Sequence, residues 1–191
     1  MSIILVTGPS GSGKDTLLRH ARAHFSAKRL AFARRYITRP PDSNEDNFFV
    51  DEAGFHCLQN NSFFISTWQA HNNCYGIPWS EYRLAQTAQG AGCQHAALLC
   101  SISRTAVADF EHRFQQVYTV LVNVPPEILA KRLRVRGRET EAQAALRLAR
   151  ASLPLQAREL VHFDNSAPLA ESASRFIALL ESILGPGRNE A

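Results

Sequence analysis

Apolar residues fall in short blocks that switch between strand-like runs and helical spacing. "SIILVTG" is an unbroken run ending at Gly8, too short for a helix and rich in β-branched residues, so it predicts a buried strand. In "DTLLRHARAHF", Leu17, Leu18, Ala21 and Phe25 recur at helical spacing. "LAFARRYITRP" predicts a second strand whose polar end carries Arg34, Arg35 and Arg39, and "PPDSNED" is turn chemistry. "NFFV" predicts a short strand, "DEAGFHCLQN" a capped helix, "SFFISTWQA" a strand and "HNNCYGIP" a loop. "SEYRLAQTAQ" predicts a helix that stops at "GAG", and "QHAALLCSI" a buried strand.

The second half repeats this order. "SRTAVADFEHRF" is amphipathic and helical, and "VYTVLVNV" is a strong buried strand. "PPEILAKRLRVR" opens with proline in the first turn, as a helix tolerates. "ETEAQAALRLARASLPLQ" predicts a further helix broken near Pro154, and "LVHFDN" a last strand. In "APLAESASRFIALLESIL", Leu169, Ala173, Phe176, Ile177 and Leu180 share one face, and "GPGRNEA" is a frayed tail. Strands and helices thus alternate from end to end. This predicts an α/β fold: a parallel sheet flanked by helices, with ligands beyond the C-terminal ends of the strands.

The first strand–helix junction carries chemistry. "GPSGSGKDT" spaces Gly8, Gly13 and Lys14 as a P-loop does. Glycines let the backbone approach phosphate oxygens, and the helix start adds partial positive charge. Lys14 adds a full charge beside the β- and γ-phosphates of a nucleotide. Gly8, Pro9, Ser10, Gly11, Ser12, Gly13, Lys14, Asp15 and Thr16 form the expected nucleotide-binding loop. Asp15 stands where Ser or Thr usually binds Mg²⁺. Two readings fit it: an acid favoured by the helix dipole, or a Mg²⁺ ligand, since Mg²⁺ takes hard oxygen donors. Metal handling is the preferred one.

A second cluster is basic. Arg132, Arg134, Arg136 and Arg138 lie within "KRLRVRGRE", and Arg147 and Arg150 follow. Such a run can be a solvated helix face. Straddling Gly137, it also suits a lid that closes positive charge over a transferred phosphoryl group.

Composition adds limits. A chain of 191 residues suits one globular domain. The net charge of +4 suits a small polyphosphorylated substrate, and the arginines form no nucleic-acid motif. Cys57, Cys74, Cys93 and Cys100 form no C-x-x-C pair, and the N-terminus is too short a run for a signal or a span. A cytoplasmic enzyme with free thiols, and no membrane or nucleic-acid partner, is expected. His20 and His24 lie four apart without a third metal ligand and read as helix surface. Tyr36 reads as a core aromatic and Cys74 as a small loop residue.

The P-loop, "YITRPP", "YGIP", "RLRVRGRE" and the late "FDN" stand in the order found in guanylate kinase-like proteins, which the chain resembles over nearly its whole length. The resemblance implies a single domain of three parts: a core (1–33, 91–130 and 157–185), an acceptor-binding segment at about 34–90 and an arginine lid at about 131–156. It implies ATP as donor and Mg²⁺ as cofactor. By motif, Arg39 and Tyr75 resemble the arginine and tyrosine that hold the acceptor phosphate, and Lys14 resembles the P-loop lysine. Arg132, Arg136 and Arg147 resemble the arginines around the transferred group. Glu45 resembles a glutamate after "TRPP".

Departures narrow the acceptor. Guanylate kinases carry a second arginine where this chain has Asp42, a base-reading acid where it has Ser66, and an acidic "LEID" strand where it has "LLCSIS". A site built to hydrogen-bond a base loses selectivity without those partners, so GMP is expected to fit poorly. "GPSGSGKD", "RYITR", Trp68 and "RGRE" resemble the ribose 1,5-bisphosphate phosphokinases of bacterial phosphonate breakdown, which implies phosphorylation of a sugar's anomeric phosphate to give 5-phosphoribosyl 1-diphosphate. A phosphate nucleophile is already ionised and needs no strong base, so positioning and charge neutralisation dominate. Arg35, Arg39 and Tyr75 are the expected acceptor residues. Two rivals remain: a nucleoside monophosphate kinase, and an inactive guanylate kinase-like binding module, against which the retained Lys14 and arginines weigh.

Overall fold

The computed structural model describes residues 1–25, 29–40, 46–70, 72–87, 97–136 and 154–185, with only the backbone of 133–136. Two sheets organise the chain. The first is parallel and runs β2 (Leu30–Phe32), β7 (Ala97–Ser101), β1 (Ser2–Thr7), β8 (Val117–Asn123), β9 (Leu160–Asp164). β1 is central because its side chains are apolar on both faces. Ile3 and Leu5 enter one core; Ile4 and Val6 enter the other.

Helices α1 (Lys14–His24) and α6 (Leu169–Leu184) cover the second of these faces. Leu17 and Ala21 of α1, and Phe176 and Leu180 of α6, are fully buried there. Each large side chain so buried contributes roughly 1.5–3 kcal/mol. The helical periodicity read along both segments is therefore the stripe that packs.

The second sheet runs β4 (Phe48–Phe49), β3 (Tyr36–Ile37), β6 (Asn73–Pro78), β5 (Phe64–Ala70). Its β5–β6 and β3–β6 pairs are antiparallel, whereas β3–β4 is parallel. Helix α2 (Glu52–Asn60) packs Phe55 against Phe64, and the Asp51 carboxylate caps α2 by accepting from the Gly54 N–H at 2.7 Å. Tyr36 packs among Phe48, Phe63 and Phe64, as its core reading expects. The opposite face, with Ile65, Trp68, Tyr75 and Ile77, joins the first core beside α3 (Trp79–Thr87) and α4 (Val107–Arg113).

Two expectations are corrected here. "LAFARRYITRP" is two strands in different sheets. Ala33 still donates to the Leu99 carbonyl, but the Arg34 N–H donates to Glu81 Oε2 at 2.9 Å, so the ladder ends there. "HNNCYGIP" is a strand, not a loop. The turn is confined to its start, where Asn72 takes a left-handed φ of 58°. Gly76 is a packing residue, since a Cβ there would lie 2.6 Å from the Phe64 ring. Cys74 is accordingly a buried strand residue.

Helix α5 (Pro126–Arg136) begins at the expected proline. The helix expected after it, the lid's Gly137 and the tail "GPGRNEA" beyond Gly185 lie outside the described residues, as do Asp42, Glu45 and Cys93.

Candidate active site

β1 delivers the chain to the loop at Gly8, beside β8. A Cβ on Gly8 would lie 2.5 Å from the Val122 carbonyl oxygen, so the approach of loop to sheet requires glycine. The Ser12 N–H donates to the Pro9 carbonyl at 3.1 Å and closes the turn. Gly13 then takes φ +84°, and α1 starts at Lys14. A left-handed residue leading into a helix start is the geometry that gathers backbone N–H groups around an anion. Ser12 is buried, and its Oγ has no hydrogen-bond partner among the described residues. This arrangement fits nucleotide phosphates. Lys14 Nζ lies 4.0 Å from Asp15 Oδ1; the lysine is mostly buried and the aspartate half-exposed. Mg²⁺ commonly keeps several waters and takes one or two carboxylates plus phosphates, so one such aspartate suits it. Among the described residues no group of three or more His, Cys, Asp or Glu gathers around a common point.

The back of the loop is held from far along the chain. Asn165, buried at the end of β9, donates from Nδ2 to the Ser12 carbonyl at 2.6 Å. Arg132 of α5 donates to the same carbonyl at 3.3 Å and to the Asn165 carbonyl at 3.1 Å. The Arg132 charge thus lies beside the loop. Arg147 and the Arg136 side chain lie outside the described residues.

In front of the loop, a cavity of about 200 Å³ opens between α1 and the ends of β2 and β7. Asp15, Arg19 and Arg22 line it from α1, Ala33 and Arg35 from the β2 side, Ser101 from β7, and Asp46 and Asn47 from the segment before β4. Arg35 Nε donates to Asn47 Oδ1 at 3.2 Å, and its guanidinium carbon lies 5.9 Å from the Tyr75 ring centre. Tyr75 is backed by Trp68, with near-parallel rings 5.6 Å apart. Arg39 is half-buried just beyond β3. Arg35 and Tyr75 are therefore adjacent.

Ser66 does not stand alone as the sequence suggests. Its Oγ donates to Asp109 Oδ2 at 2.6 Å, so an acid reaches this place from α4. Buried Glu81 also faces the sheet; its Oε1 lies 3.9 Å from Arg34 Nε. Burial, with the Glu81 charge, pushes the Cys100 thiol far above its ordinary range, and burial lowers the Arg104 guanidinium. His24 pairs with Glu181 on the helix surface at 3.1 Å.

Sequence reasoning missed Arg19, Arg22, Asp46 and Ser101, and marked Asn165 only as part of the late "FDN" motif without a role. Only the spacing of Arg19 and Arg22, four and seven residues after Asp15 on one helix, held a signal. No described helix is long and apolar enough to cross a membrane.

No protein-family model matches the chain. Curated relatives do. It is 38% identical over 181 residues to the ribose 1,5-bisphosphate phosphokinase PhnN of Methylobacterium radiotolerans, covering 94% of this chain and 97% of that protein. The PhnN of Acidiphilium cryptum is 40% identical over 179 residues, covering 93% and 91%. A bifunctional ribose 1,5-bisphosphokinase-thymidine phosphorylase of Cupriavidus necator is 35% identical, with 95% of this chain matching 29% of that longer protein. Among solved structures, a guanylate kinase from Anaplasma phagocytophilum shares the fold at TM-score 0.62 and 18% identity, covering 97% of this chain and 87% of that one.

Proposed function

Since the chain belongs to the ribose 1,5-bisphosphate phosphokinase family, we propose that it transfers the γ-phosphoryl group of ATP to the anomeric phosphate of ribose 1,5-bisphosphate, giving 5-phosphoribosyl 1-diphosphate and ADP. An oxygen of the anomeric phosphate attacks the γ-phosphorus, and the bond from that phosphorus to the β,γ-bridging oxygen breaks. The acceptor is anionic throughout, so no side chain has to take a proton.

One observation carries the reading: beside the P-loop's Asp15 opens a cleft lined by three arginines, Arg19, Arg22 and Arg35, with Tyr75 next to Arg35, a wall suited to an acceptor rich in phosphate. In this reading Gly8 to Thr16 wrap the donor phosphates, and Lys14 neutralises charge on the β- and γ-phosphates. Mg²⁺, held by Asp15, would supply further charge neutralisation. Arg35, Arg39 and Tyr75 orient the acceptor. Arg132, Arg136 and Arg147 gather charge around the transferred group from the lid at about 131–156. The acceptor-binding segment is at about 34–90, and the fully polar acceptor fits a cytoplasmic enzyme.

The test is ADP release coupled to a panel of acceptors. Ribose 1,5-bisphosphate should exceed GMP in kcat/KM by at least ~10²-fold, the order of discrimination a site reaches between acceptors whose polar groups it does and does not pair. Faster turnover of GMP would make the protein a nucleoside monophosphate kinase. No Mg-ATP binding at millimolar concentration would make it a binding module.

A further inference from the structure

We propose that Arg19 and Arg22 of α1, with Arg35 opposite, form a subsite for the non-reacting phosphate of the acceptor, and that Asp46 occupies that subsite as an internal anion until the acceptor arrives. This inference rests on the bisphosphate reading above and adds the residues that select a second phosphate.

The geometry begins with α1. Asp15 stands at the P-loop end of the cleft, Arg19 one turn further and Arg22 two turns further. At 1.5 Å per residue, Arg22 lies about 10 Å along the helix from Asp15. A cation there is too remote for the transferred group, which must lie against Lys14. It can meet the opposite end of an acceptor that reaches away from the loop. Arg22 is already preorganised: its guanidinium carbon lies 5.3 Å from the Phe32 ring centre.

The charges agree. Among the lining residues, Arg19, Arg22 and Arg35 outnumber Asp15 and Asp46. Asp46 Oδ2 accepts from Arg22 Nη1 at 2.8 Å, while its Oδ1 lies 3.9 Å from Arg34 Nη1. Arg22, the subsite arginine that Asp46 touches, thus already holds an anion where a phosphate would sit, and a dianionic phosphate binds guanidinium groups more strongly. The pair is about half-exposed, so water can carry Asp46 away at small cost.

A second observation points independently to a ligand. Ser101 is only 8% exposed, yet its Oγ has no hydrogen-bond partner among the described residues, and it lines this same cleft. A buried hydroxyl without a partner costs stability, and rotation of this short side chain toward the cleft would let a polar acceptor supply the partner.

The experiment measures the Kd of ribose 1,5-bisphosphate and of ribose 1-phosphate by calorimetry, without nucleotide, beside steady-state kinetics. Wild type should prefer the bisphosphate. Arg22→Gln and Arg19→Gln should each weaken the bisphosphate by ~10-fold or more, the value of a lost charge-assisted bond. The same variants should leave ribose 1-phosphate within about 2-fold. Asp46→Asn should tighten the bisphosphate alone, which a structural role for Asp46 would not do. Equal weakening of both acceptors, or no change in the Gln variants, overturns the subsite, as does Asp46→Asn weakening the bisphosphate. A wild type that binds the bisphosphate without phosphorylating it would sink the proposed reaction instead and leave the subsite to be judged by the Gln variants.

Discussion

The side-chain amide of Asn165 and the carbonyl of Ser12 are joined at 2.6 Å across 153 residues of sequence. The end of the last strand thereby fixes the shape of the loop after the first. The amide also fills the space that a Cβ on Gly13 would need, 2.5 Å away. Loop glycine and distant asparagine form one device.

Asn165→Ala should therefore loosen the loop. A buried carbonyl loses its donor at a cost of about 1–3 kcal/mol. Arg132 retains its bond to Ser12 and partly compensates. Nucleotide affinity should fall and the melting temperature with it. Asn165→Asp should be worse, because a carboxylate would face the carbonyl. ATP binding and thermal melts decide; an Asp variant that binds ATP as wild type does would dissolve the link.

Lys14→Ala should leave the fold intact, since the ammonium group sits at the outer limit of pairing with a half-exposed Asp15. Turnover should fall at least ~10²-fold, the typical loss for one preorganised electrostatic group. A variant within a few-fold of wild type in steady-state assays would refute the loop assignment.

Asp15 separates two roles by one titration. If its carboxylate helps to hold Mg²⁺, Asp15→Asn should raise the Mg²⁺ concentration for half-activity and barely change acceptor affinity. Asp15→Ser restores a hydroxyl ligand and should keep more activity than Asp15→Ala. A helix-dipole role alone would appear as about 0.3–1 kcal/mol of stability with an unchanged Mg²⁺ profile.

Cys100 makes stability depend on alkaline pH. The folded thiol keeps its proton well above the ordinary value of 9.0, because it is fully buried and near Glu81. The unfolded thiol ionises near 9.0. Above that pH the unfolded state binds fewer protons than the folded state, so stability falls as pH rises, by at most about 1.4 kcal/mol per unit. Below pH 9 this contribution is fully present. Urea unfolding from pH 8 to 10.5 should show a shallower decline in Cys100→Ala than in wild type, whatever the variant's absolute stability. Parallel slopes would remove Cys100 as the cause.

Local order was legible wherever one chain segment carried its own signal. Unbroken apolar runs marked β1 and β8, and helical spacing marked α1 and α6, because each buries continuous apolar surface. The P-loop was legible because its chemistry needs glycines and a lysine at fixed spacing. The alternation of these elements was enough for the parallel sheet. Gly76 and its asparagines misled, since the same residues serve a turn and a strand packed against an aromatic ring. Arg34 and Arg35 looked like a strand's polar end, yet they mark the crossing between two sheets. Tertiary structure alone decided which distant groups meet: Asn165 with Ser12, Asp109 with Ser66, and Asp46 with Arg22. Each pair joins polar groups 24 or more residues apart, where neither periodicity nor spacing links the partners. Their meeting depends on how strands stack and helices cross, and one of them, Asp46 with Arg22, lies in the wall of the cleft.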